Sequence, residues 1–114
     1  MQFTIPGVPD KLTYSVAASI AITAVVTILA AASGLVQGGI IALILGGVTY
    51  WFVYRNLAAN VATARMTALI VGIVHAFFAI VSISIHVPLY FILDAASAAC
   101  LFYAFLLLQR QIAA

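Results

Sequence analysis

Acidic residues are nearly missing from this chain: it has no glutamate, and its two aspartates are Asp10 and Asp94. Basic residues are scarce too, limited to Lys11, Arg55, Arg65 and Arg110, so that only 5% of the 114 residues are charged. Soluble domains carry about 25% charged residues, so this chain lacks the polar surface that water requires. Four scattered cations also exclude a nucleic-acid surface, which needs basic residues clustered on one face. The single cysteine, Cys100, excludes an intrachain disulfide and a cysteine-rich metal site. It reads as a small apolar residue in a packed helix. No nucleophile stands beside a base, no carboxylates pair at one level, and no glycine-rich phosphate loop precedes a helix. The chain is therefore expected to be no enzyme and to hold no cofactor or metal. Its start, "MQFTIPGVPDK", has no basic segment before a hydrophobic one and no small-residue cleavage site, so it is not expected to be a secretory signal.

Apolar residues are what the chain has in abundance, at 68% with a mean hydropathy of +1.33. Each helical crossing of a bilayer takes about 20 apolar residues, which leaves room for four crossings and little else. Four segments can be drawn, at about 12–33, 38–54, 62–85 and 88–108, within one integral membrane domain covering 1–114. "SGLVQGG" separates the first pair with turn signals, and "RNLAANVATAR" is the one substantial polar connection. Pro88 divides the last pair, since proline disfavours helical geometry in the residue before it and suits a first helical turn. Backbone groups cannot stay unpaired in hydrocarbon, so each segment must be a helix or a strand of a closed barrel. Barrel strands alternate polar and apolar residues, and none of these segments does. The fold class expected is all-α, an antiparallel bundle of four transmembrane helices.

Helices in lipid associate where small residues let their backbones approach. Gly38, Ala42 and Gly46 recur at spacing four in the second segment, and Ala64, Ala68, Gly72 and Ala76 do so in the third. Ala98 lies one turn beyond Asp94 in the fourth. These lines serve packing within the bundle or contact with another subunit. Larger membrane protein subunits, a second copy of the chain and the lipid bilayer are the partners expected.

Asp94 and His75 are ionisable groups inside predicted crossings, where such residues cost about 2.5–3.5 kcal/mol and usually face the bundle interior. Side chains lean toward the N-terminus of their own helix. That lean turns Asp94 and His75 away from each other across an axial gap of roughly 6 Å, from about 1.5 Å per residue. Direct contact is not expected. Counting levels places Thr27 and Ser82 near Asp94, and Thr23, Thr49 or Cys100 near His75. Each group reads either as a satisfied interior hydrogen bond or as part of a partner contact or transport pathway. His86, beside the loop proline, reads as an interfacial residue.

The last segment, "PLYFILDAASAACLFYAFLLLQRQ", resembles the final helix of short four-helix actinobacterial membrane proteins. Some of these are small subunits of Mce-type lipid importers or of respiratory supercomplexes. Abundant alanine beside a single lysine agrees with a GC-rich genome of that kind. The resemblance implies a non-catalytic accessory subunit that meets its partners through small-residue helix faces. In size and helix count the chain is also similar to the small multidrug resistance exporters, which work as dimers. Their essential glutamate lies in the first helix, and here "SVAASIAITAVVTILAAAS" holds no acid. A small homo-oligomeric transporter of that size would have Asp94 as its intramembrane ionisable group.

With both termini in the cytoplasm, Lys11, Arg55, Arg65 and Arg110 all fall on the cytoplasmic side and none on the other. That is the positive-inside pattern, expected for a multi-pass protein of the plasma membrane. These four residues would form its cytoplasmic interface, with the arginines near anionic headgroups. A C-terminal fusion to a reporter that functions only in the cytoplasm is expected to be active. A matching fusion of a reporter that functions only outside is expected to be silent, and the reverse result would invert the topology.

Overall fold

The computed structural model describes residues 5–85 and 87–113, with side chains through residue 111; His86 lies outside the described residues. Four helices follow in order: α1 (Asp10–Ala32), α2 (Val36–Val48), α3 (Val61–Ser84) and α4 (Pro88–Ala113). A π-helical turn at Thr49–Val53 and a 3-10 turn at Tyr54–Asn56 extend α2. With that extension all four are long and apolar enough to cross a membrane. The molecule measures 44 × 28 × 18 Å, and its length matches the roughly 40–45 Å of a bilayer with its headgroups. The all-α four-helix fold is the one expected, in a chain built as a multi-pass membrane protein.

Local signals set the ends of the helices. Asp10 places a carboxylate in the first turn of α1, favourable to the helix dipole. At the other end of α1, Gly34 takes a φ of +78°. The amide of Leu35 then reaches Ala30 O at 2.8 Å and that of Gly34 reaches Ala31 O at 3.3 Å. This pair of bonds is a Schellman cap, for which glycine is the residue of choice. Gly38 and Gly39 are consequently helical, and α2 starts at Val36, two residues before the expected boundary. Asn60 caps α3 by accepting from the Thr63 amide at 3.2 Å. Pro88 opens α4 as expected, but that helix continues five residues beyond the expected end at 108.

Around the bundle the helices run α2, α1, α4, α3. α3 and α4 share the most extensive interface, and α1 packs against both α4 and α2. Closure between α2 and α3 comes chiefly through the π-helical turn, which lies against α3. The two ends of the bundle therefore differ. At the end carrying the termini, Leu12, Val16, Val53, Leu57, Leu101 and Leu108 form a dense apolar core with Ala64 and Ala68. At the opposite end, α2 and α3 stand apart. Large apolar side chains such as Ile28, Leu43, Phe77 and Ile92 cover the perimeter and are exposed, as a surface facing lipid must be.

Two glycines allow close approach. A Cβ built on Gly46 would come 2.8 Å from Thr23 Oγ1, and one on Gly72 would come 2.8 Å from the Phe102 ring. A Cβ on Gly47 would meet nothing within 4 Å. Gly46→Ala and Gly72→Ala are each expected to destabilise the detergent-solubilised chain by about 1–3 kcal/mol through overpacking. Gly47→Ala is expected to be neutral or slightly stabilising. Thermal unfolding followed by size-exclusion chromatography would check the contrast.

Candidate functional site

The helices are tied together by hydroxyl groups rather than by apolar burial alone. Ser15, Ser19, Thr23 and Thr27 recur at spacing four along α1, which places them on one face. Ser15 Oγ donates to the Cys100 carbonyl at 2.5 Å, and Ser19 Oγ and Ser97 Oγ share a fully buried hydrogen bond at 2.6 Å. These are two successive rungs between antiparallel α1 and α4. Thr23 stands where a third rung would fall, opposite the Asp94 turn. Its hydroxyl instead turns back to Ile20 O at 2.7 Å and Ser19 O at 3.1 Å. Thr27 does the same, donating to Thr23 O at 2.8 Å, and it does not reach the Asp94 site. Thr49 bonds Leu45 O at 2.8 Å, so it too is locally satisfied.

Beyond the rungs lies the cleft between α2 and α3, a cavity of about 190 Å³. Its walls include Val26 of α1, Ile41 and Leu45 of α2 and Phe78 of α3. Gly38 and Ala42 keep the α2 wall low, and the polar lining is Thr23, His75, Ser82, Tyr90 and Asp94. Ser82 and Asp94 thus line the same cavity.

His75 and Asp94 meet directly, which overturns the expectation that they would stay apart. Nδ1 of His75 lies 3.4 Å from Oδ1 of Asp94, long for a charge-assisted bond. The register of α3 on α4 is close to the one assumed: Gly72 faces Phe102 and Arg65 bonds Gln109. In that register His75 stands opposite Ala99, more than one turn from Asp94. An average Cβ lean, however, does not fix the far atoms of a ring. Rotation about the side-chain torsions moves them by ångströms, and leaving a rotamer well costs about 0.5–1.5 kcal/mol. Leaving a buried polar group unpartnered costs about 1–3 kcal/mol, so the pairing wins.

The imidazole is 1% exposed and the aspartate side chain 14%. Nε2 of His75 is buried and has no hydrogen-bond partner among the described residues.

The remaining candidates fall in several places. Ala42, Ala64, Ala68, Gly72 and Ala98 are buried, Gly46 and Ala76 are half-buried, and Gly38 is exposed on the cleft side of α2. The basic residues stay at the termini end. Arg55 stacks over the Trp51 ring at 4.1 Å, and Arg65 Nη1 donates to Gln109 Oε1 at 2.7 Å. Arg65 is thereby partly committed to α4 rather than free for headgroups, while Lys11 and Arg110 are exposed. The Ser19–Ser97 rung was not anticipated, although the spacing-four hydroxyl line on α1 signals it.

The fold and cleft define a four-helix membrane protein with an acid–imidazole couple inside the bilayer span. Comparison with protein-family models, curated proteins and solved structures finds no significant match.

Asp94→Asn, which keeps an acceptor for Nδ1, is expected to leave stability within about 1 kcal/mol of wild type. Asp94→Leu strands both imidazole nitrogens and is expected to cost about 1–3 kcal/mol. Denaturation midpoints of the purified variants in one detergent would separate the two.

Proposed function

We propose that the chain is a small non-catalytic transporter of the plasma membrane, with both termini cytoplasmic and the cleft as its working site. The observation that carries this reading is the His75–Asp94 couple at the edge of the cleft, with the imidazole buried and the aspartate side chain 14% exposed. An ionisable pair kept only for packing would be better placed where no cavity adjoins it, since water or lipid there competes for its hydrogen bonds. Intramembrane ionisable groups beside a cavity commonly mark substrate or ion pathways. The cleft opens away from the termini, which in the proposed topology is the outer leaflet. Small helix faces suit assembly as a homo-oligomer.

A second reading, an accessory subunit of a lipid-transport or respiratory assembly, is favoured by a separate feature. Ala17, Ala18 and Ala21 floor a shallow groove at the termini end, walled by Tyr14, Tyr50 and Tyr54. A neighbouring helix could approach its backbone closely there. The resemblance of the last helix to small actinobacterial subunits supports the same view.

Cells overproducing the chain or its Asp94→Asn variant, challenged with a panel of toxic solutes, distinguish the two. The transporter reading expects several-fold altered tolerance to a subset of solutes with the wild type only. Unchanged tolerance, with larger subunits co-purifying stoichiometrically in mild detergent, would replace it with the accessory reading.

A further inference from the structure

The polar and apolar groups of the cleft come from different helices. Tyr90 and Asp94 are four residues apart on α4 and so share a face, and both line the cavity. Ser82 of α3 lines it too, and neither Ser82 nor Tyr90 makes a side-chain hydrogen bond among the described residues. α2 contributes only apolar residues and Gly38. Thr23 of α1 already donates to its own helix.

Charge narrows what can lie between these walls. His75 stands within ion-pair range of Asp94, so the couple holds its own answer to the carboxyl group. Among the described residues no other charged side chain lines the cavity. A charged occupant would leave water without a counter-charge reserved for it, which is costly. The fitting occupant is neutral. Hydrogen-bond valence narrows it further, because the groups on offer are two hydroxyls and the exposed part of the Asp94 carboxyl. An ionised carboxyl only accepts, whereas a protonated one also donates. A ligand hydroxyl does both, so it matches Asp94 in either state and pairs equally with Ser82 or Tyr90. A lipid acyl chain would suit α2 but leave all three polar groups unpartnered.

Volume sets the rest of the molecule. A protein cavity of about 150 Å³ holds a benzene ring, and this one is about 190 Å³. A helix about 10 Å across cannot enter such a space. We propose that the cleft between α2 and α3 is a binding site for a compact neutral alcohol or phenol, its apolar body about one aromatic ring in size. The hydroxyl sits among Ser82, Tyr90 and Asp94, and the body lies against Ile41 and Leu45 of α2. This rests on the reading of the cleft as the working site and names the class of molecule it takes. It concerns binding alone.

The test uses the full chain in lipid nanodiscs with isotopically labelled isoleucine methyl groups. The Ile41 resonance, assigned by its loss in Ile41→Val, is followed during titration. Ligands are compared at equal concentration in the lipid, fixed by partition into empty nanodiscs. Benzyl alcohol is expected to shift that resonance saturably. Toluene, which lacks the hydroxyl, and benzylamine, a cation at neutral pH, are each expected to bind at least about tenfold more weakly, a loss of about 1.4 kcal/mol. The double variant Ser82→Ala, Tyr90→Phe is expected to lose most of the preference for the alcohol over toluene. Asp94→Asn is expected to keep it, since an amide also donates and accepts. Gly38→Leu controls for folding, because a Cβ there meets only the Leu35 Cβ at 4.0 Å. It fills the cleft from α2 and is expected to abolish the shift while keeping the wild-type elution profile. Equal affinity for alcohol and toluene, tighter binding of the amine, loss of binding in Asp94→Asn, undiminished binding in Gly38→Leu, or no saturable shift would each overturn the proposal. Binding with these selectivities but without altered solute tolerance in cells would leave the site standing and remove the transport reading.

Discussion

Lipid offers helices no hydrophobic reason to meet, because hydrocarbon tails are as apolar as the side chains they would displace. What holds this bundle must therefore come from close packing and from hydrogen bonds made between helices. The serine rungs are the clearest case. Ser19 with Ser97, and Ser15 with the Cys100 carbonyl, fix α1 against α4 in both height and rotation. Interhelical bonds of this kind average only about 0.6 kcal/mol in membrane proteins. Their specificity matters more than their strength, since a shift of one turn in either direction would part Ser19 from Ser97 and set it opposite a leucine.

From that fixed pair the remaining asymmetry follows. α3 joins through α4, with Gly72 admitting the Phe102 ring, and α2 joins through α1, with Gly46 admitting Thr23. Neither contact obliges α2 and α3 to meet each other. They come together where Val53 and Leu57 enter the apolar core at the termini end. Away from it they separate, leaving His75 and Asp94 with a cavity beside them. A tight end and a parted end are the outcome of two separately satisfied pairs sharing one anchor.

Much of this was legible in the residues. Composition and segment length alone require four helices in lipid, and the spacing-four lines of small residues mark the contact faces. The hydroxyl line at Ser15, Ser19, Thr23 and Thr27 is as regular as the glycine lines, and it points to the rung partner on α4. The His75–Asp94 contact was not legible, because it depends on side-chain torsions that axial counting averages away. Nor was the parting of α2 from α3. Short loops require neighbours to be antiparallel but say nothing about the first helix pair closing on the second. Gly34 rather than the Gly38–Gly39 pair ends the loop, since one left-handed residue suffices to complete the cap.

The π-helical turn at Thr49–Val53 has a geometric consequence for the site far from it. Its signature is the Tyr54 amide bonded to the Thr49 carbonyl, a ring one residue wider than in an α-helix. One extra residue in a turn rotates everything on its far side by about 100°, from about 3.6 residues per turn. The rim formed by Gly38 and Ala42 is thus aimed by a winding fault several turns away. With uniform winding, α2 would present another of its faces at the same height, and bulky isoleucines such as Ile40 and Ile44 would trade places with small side chains around its circumference.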